Sequence, residues 1–164
     1  MYAQMVKSTG KGVKTREEMS DEERAFQDRI DEDIKIAATR AQTLAADADA
    51  SVFVEANAGS GKTRVLVDRV VNLLLRDVPP EQILCVTYTK AAAAEMKDRL
   101  FARLGGWSMM ETAALEADFR KLTGRDPRPG EIDKVRRLFA SALETPGGLK
   151  VQTIHAFCES LLRR

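Results

Sequence analysis

The sequence predicts an α/β fold, a parallel sheet with flanking helices. Three observations predict it. Short β-prone apolar runs recur at residues 52–54, 83–89 and 149–154. A helical pattern follows each run directly. A glycine-bearing loop, not a plain turn, joins the first run to its helix. The order strand, loop, helix, turn, strand, helix is a right-handed crossover unit of a parallel sheet.

The first element is Val52-Phe53-Val54, leading into Ala56-Asn57-Ala58-Gly59-Ser60-Gly61-Lys62-Thr63. An apolar helical pattern comes next: Val65, Leu66, Val67, Val70, Val71, Leu73, Leu74 and Leu75. This is the context a phosphate-binding loop requires. Gly59 and Gly61 allow backbone angles closed to other residues, so the main chain can approach an anion closely. Successive N–H groups then form a nest, and the N-terminus of the following helix adds partial positive charge. Lys62 can reach the β- and γ-phosphates of a nucleotide, and the Thr63 hydroxyl can bind the accompanying Mg²⁺. Ala56 stands where the strict pattern has glycine, which is tolerable if that position keeps a negative φ.

Composition bounds the function. The chain has 164 residues, the size of one ordinary domain, and a net charge of +1. Charge alone therefore does not argue for nucleic acid. Cys85 and Cys158 form no CxxC pair, which argues against a zinc site and fits a reducing compartment. No apolar run approaches the ~20 residues needed to cross a bilayer, and no apolar signal core opens the chain. The expectation is a cytoplasmic protein.

Residues 1–18 are polar and read as a disordered leader. Met19 then looks like a fresh start and a candidate natural initiator. Ser20 can cap a helix, with Glu23 as its capping-box partner. Residues 20–46 read as one or two helices. Within them, Gln42 lies about 20 residues before Lys62, a spacing that lets it fold back over a nucleotide base. Its amide can pair with the N6/N7 edge of adenine. On residue type alone it reads as a solvent-facing helical glutamine.

The Pro79-Pro80 turn separates the first helix from the second strand, residues 83–89, which reads as buried on both faces. Met96, Leu100 and Leu104 mark the helix after it, and Gly105-Gly106 should end that helix. Two more helices follow, split by residues 123–130. Leu115, Phe119 and Leu122 mark one; Ile132, Val135, Leu138 and Phe139 mark the other. Trp107 reads as a packing residue at a helix junction. Residues 149–154 read as a third strand and His155-Ala156-Phe157-Cys158 as the start of the next helix. Both cysteines read as core residues.

The motifs also resemble a known family. Thr87-Tyr88-Thr89-Lys90-Ala91-Ala92-Ala93-Ala94-Glu95-Met96 resembles motif Ia of superfamily 1 DNA helicases of the UvrD/RecB type. Val151-Gln152-Thr153-Ile154-His155-Ala156-Phe157-Cys158 is similar to their next motif. Gly61-Lys62-Thr63-Arg64 resembles motif I, and Thr39-Arg40-Ala41-Gln42 the Q-motif. The Ala56-Asn57-Ala58 lead-in and the alanine string look most like the AddA helicase subunits of bacterial helicase–nuclease complexes. One departure is local: Lys90 precedes Ala91, where the family has Asn-Lys, so the basic contact sits one residue early.

The resemblance implies a RecA-like P-loop NTPase domain over residues 19–164, with a helical insertion at about 106–144. It implies ATP and Mg²⁺ as cofactors, single- and double-stranded DNA as partner, and a nuclease subunit of the AddB kind. Ala56, Asn57, Ala58, Gly59, Ser60, Gly61, Lys62 and Thr63 would bind the phosphates, with Gln42 and Arg64 on the adenine. Thr87, Tyr88, Thr89, Lys90, His155 and Phe157 would contact single-stranded DNA. Without the resemblance, Tyr88 reads as a buried strand aromatic and His155 as structural. Hydrolysis in such enzymes also needs an acidic magnesium-binding strand and an arginine finger. After the loop, no apolar run in this chain leads into an Asp-Glu pair, so the expectation is a truncated chain that is inactive alone, with an exposed sheet edge. A P-loop nucleotide-binding module or small-molecule kinase without a DNA partner remains the alternative.

Overall fold

The computed structural model describes residues 15–55, 57, 59–144 and 148–163. They fall into two units, one ending at residue 41 and one spanning 42–164. Helix α1 (Asp21–Ala46) crosses the boundary. The leader expectation lies largely outside the described residues, as do Ala56 and Ala58 of the loop.

In the first unit, α1 opens with the expected capping box. Ser20 N donates to Glu23 Oε2 at 2.8 Å, and Glu23 N donates to Ser20 Oγ at 3.2 Å. Asp21, Glu22 and Glu23 in the first turn suit the positive end of the helix. No side chain of this helix as far as Ala41 is buried.

The second unit is mostly helical. In order come α2 (Lys62–Leu75), β1 (Leu84–Thr87), α3 (Lys90–Met109), α4 (Thr112–Thr123), α5 (Glu131–Glu144), β2 (Lys150–Thr153) and α6 (Ile154–Leu162). Its core joins Val67, Val71 and Leu74 of α2 with Met96, Leu100 and Leu104 of α3. Leu115 and Phe119 of α4, Val135 of α5 and Val151 of β2 complete it. The apolar positions read from the sequence in α3, α4 and α5 are therefore on the faces that pack, while Leu66 of α2 is exposed. Lys134 of α5 reaches the last carbonyl of α2, Leu75 O, at 2.8 Å, a basic cap on the negative helix end.

Four expectations are corrected. Among the described residues the sheet has two strands, not three. Residues 51–55 join no ladder, and Phe53 is 91% exposed. A β-prone run becomes a strand only when a neighbour accepts its hydrogen bonds, and no described segment does. Second, the strand at 83–89 is shorter and covered on one face, since Leu84 and Val86 are exposed. Third, Gly105-Gly106 lies inside α3, which runs on to Met109. Packing overrides propensity there: a Cβ on Gly105 would stand 3.4 Å from the Phe139 ring, and Trp107 is buried. Fourth, Cys158 is exposed, whereas Cys85 is half-buried, with burial raising its thiol pKa.

The two strands pair in parallel, Leu84 with Lys150 through Thr87 with Thr153. Their carboxyl ends therefore lie side by side. Each end runs into a helix capped by threonine: Thr89 Oγ1 accepts from Ala92 N at 3.1 Å, and Thr153 Oγ1 from Ala156 N at 3.2 Å.

Candidate functional site

The loop before α2 is built around one oxygen. Asn57 O accepts from Ser60 Oγ at 2.6 Å, from Lys62 Nζ at 2.7 Å and from Ser60 N at 3.3 Å. Gly59 has φ +78° and Gly61 φ +87°, both left-handed, so the sequence needs glycine at each. Gly61 is also the N-cap of α2, where Val65 N donates to its carbonyl at 3.1 Å. Gly59, Gly61, Lys62 and Thr63 line a cavity of about 470 Å³ together with Glu95 and Arg99 of α3.

Gln42 lies over this loop, its Nε2 donating to Ser60 O at 3.4 Å. A clamp from α2 sets that position. Arg69 donates to the carbonyls of Ala45, Asp47 and Ala50, and Asn72 Nδ2 to Ala46 O at 2.9 Å. Arg76 pairs with Asp47 and Asp49. The last turn of α1 is thus held along α2, and Gln42, one turn earlier, meets the loop.

Arg64 has another partner. Its Nε lies 3.7 Å from Asp68 Oδ2, and it lines a second cavity of about 450 Å³ between α2, α3 and α4. Asp68 also pairs with Arg103, whose guanidinium lies 5.1 Å over the Trp107 ring. Burial raises the Asp68 pKa, against the pull of Arg103 and Arg64. Gln42 and Arg64 thus take different partners.

At the joined strand ends, Tyr88 is 84% exposed, with Lys90 and His155 also exposed and Phe157 half-buried. Thr87 Oγ1 donates to Thr89 O at 3.0 Å, which stiffens the turn into α3. The pairing of Thr87 with Thr153 puts both loops on one edge of the sheet. The edge offers an aromatic face, an ammonium, an imidazole and two capped helix N-termini.

Residues 37–164 match the model of the UvrD/REP helicase N-terminal domain. The chain belongs to this family. The four stretches read from the sequence as motifs fall inside the matched span. Similar relatives include the AddA chain of the ATP-dependent helicase/nuclease of Ligilactobacillus salivarius, 32% identical over 72% of this chain. The protein of the same name from Enterococcus faecalis is 35% identical over 72% of this chain. That of Lactobacillus delbrueckii subsp. bulgaricus is 38% identical over 69%. The chain spans about 8% of the length of each of these relatives. No solved structure matches it.

Sequence reasoning missed Glu95 and Arg99 of the UvrD/REP domain as walls of the loop cavity. Their signal was present: with Arg103 they repeat at i, i+4 and i+8, beside the apolar stripe Met96, Leu100, Leu104. The clamp residues Arg69, Asn72 and Arg76 share one helix face at i, i+3 and i+7, and were missed because their partners are main-chain carbonyls or residues outside any motif.

Proposed function

We propose that this chain is the ATP- and DNA-binding part of a RecA-like P-loop NTPase domain in an ATP-dependent DNA helicase. The helicase would move on single-stranded DNA in double-strand break repair and recombination. The observation that carries the reading is the wall shared by Gly59, Gly61, Lys62 and Thr63 at the start of α2. Two left-handed glycines, an ammonium and a hydroxyl at a helix N-terminus are the chemistry a nucleotide tail requires. Family membership and the names of the relatives support the rest.

The residues fit ATP with Mg²⁺, which would supply the free energy of phosphate release. Loop N–H groups from Ala56 to Thr63 bind phosphate oxygens. Lys62 moves from Asn57 O to the β- and γ-phosphates, and the Thr63 hydroxyl holds Mg²⁺. Gln42 holds the adenine, and Arg64 joins it by leaving Asp68. Tyr88 stacks on a base, worth roughly 1–3 kcal/mol. Thr87, Thr89, Lys90, His155 and Phe157 grip the neighbouring backbone. Residues 19–164 form the first part of the ATP-binding domain, with 106–144 inserted in it. In the cytoplasm a nuclease subunit of the AddB kind would be the protein partner.

Among the described residues, the carboxylate lining the loop cavity is Glu95, and it is tied to Arg99 at 2.7 Å. After the loop no apolar run leads into an Asp-Glu pair, so the 164-residue chain is expected to bind ATP without turning it over. The test is ATPase activity of a longer clone with and without single-stranded DNA. Strong stimulation supports the helicase reading. Turnover indifferent to DNA would favour a nucleotide-binding module or small-molecule kinase, which the near-zero net charge also allows.

A further inference from the structure

Glu95, Arg99 and Arg103 follow one another at single-turn spacing on α3, beside the buried Met96, Leu100 and Leu104. The far end of this row is committed. Arg103 pairs with Asp68, lies 3.4 Å from Asp118 Oδ2 and covers Trp107. The near end is not. Arg99 Nη2 lies 2.7 Å from Glu95 Oε1, and both side chains are about half exposed. Both line the cavity that Gly59, Gly61, Lys62 and Thr63 form.

We propose that Arg99 is a second cation for the phosphate tail of the nucleotide, held on Glu95 until the tail arrives. This rests on the nucleotide reading of the loop cavity. An exposed i,i+4 ion pair is weak and screened by salt. A phosphate carries more charge than a carboxylate and accepts the guanidinium fork through two parallel hydrogen bonds. The exchange of Glu95 for phosphate is therefore downhill. Glu95 on the same wall repels the tail as long as it stays, so binding must open the pair. Met96 and Leu100 anchor α3, so the exchange moves side chains and not the helix. Arg99 has room to rotate, because it also lines the second cavity beside Arg64.

The test is calorimetric titration of the 164-residue chain with ATP and with inorganic tripolyphosphate. The proteins are wild type, Arg99→Ala, Arg99→Lys and Glu95→Gln, each checked for wild-type melting. Arg99→Ala should weaken both ligands by the same factor, roughly tenfold or more. Arg99→Lys should fall between, and Glu95→Gln should tighten both. If Arg99→Ala binds both ligands within about twofold of wild type, or Glu95→Gln weakens both, the proposal is overturned and the nucleotide site stands. If wild type binds neither ligand, the nucleotide site itself fails, and Arg99 with it.

Discussion

The Lys62 ammonium donates to the carbonyl oxygen of Asn57 at 2.7 Å, inside the loop to which both residues belong. The loop thereby holds its own lysine over the cavity. A neutral carbonyl is a weaker partner for a cation than a phosphate oxygen. The bond therefore shapes the loop without blocking it.

The glycines of that loop make separable demands. A Cβ on Gly59 meets nothing within 4 Å, whereas one on Gly61 stands 3.4 Å from Gln42 Nε2. Each substitution to alanine should cost about 1–2 kcal/mol for the left-handed backbone. Gly61→Ala should cost more, because Gln42 must also give way. Urea unfolding checks this, and adding Gln42→Ala should bring the Gly61 variant down to the cost of Gly59→Ala.

Acid stability should be traceable to Glu131. Arg125 donates to both its carboxylate oxygens, at 2.7 and 2.8 Å, and Arg128 N donates at 2.8 Å. The Arg125 hydrogen bonds first, with the Arg128 N–H and both charges behind them, lower the carboxyl from 4.5 to about 2. A group lowered on folding stabilises fully above its unfolded value and loses that contribution as pH falls through its folded value. The melting-temperature difference between wild type and Glu131→Gln should thus be constant above about pH 5 and vanish towards pH 2. A difference independent of pH would show the ion pair to be idle.

Trp107 is buried and its Nε1 donates to Asp118 Oδ2 at 2.5 Å, tying α3 to α4. Trp107→Ala should cost roughly 3–5 kcal/mol. Asp118→Ala leaves the indole N–H unpaired and should cost about 1–3 kcal/mol. As Trp107 is the sole tryptophan, its fluorescence reports unfolding directly.

The strand-end edge gives a different expectation. Tyr88→Ala should weaken binding of a single-stranded oligonucleotide by roughly 1–3 kcal/mol at fixed salt, measured by fluorescence anisotropy. Its exposure means that the melting temperature should not change. A lower melting temperature with unaltered DNA binding would make Tyr88 a packing residue.

Much of this was legible in the sequence because it depends on local spacing. The Ser20–Glu23 box, the Leu115–Phe119–Leu122 stripe and the Gly59/Gly61 positions each rest on neighbours within a turn or two. What depends on distant partners was not legible. Val52–Val54 has the composition of a strand but no described neighbour to bond. Gly105-Gly106 reads as a helix end, yet Phe139 and Trp107 keep the helix going. Arg69 and Asn72 look like ordinary helical residues until the carbonyls of Ala45 and Ala46 come into reach.

The most direct measurement is titration of the chain with ATP and Mg²⁺, wild type against Lys62→Ala, with melting curves for both. The account predicts saturable one-to-one binding that falls at least roughly tenfold in the variant at unchanged stability. Equal affinity in the two proteins, or none in wild type, would contradict it.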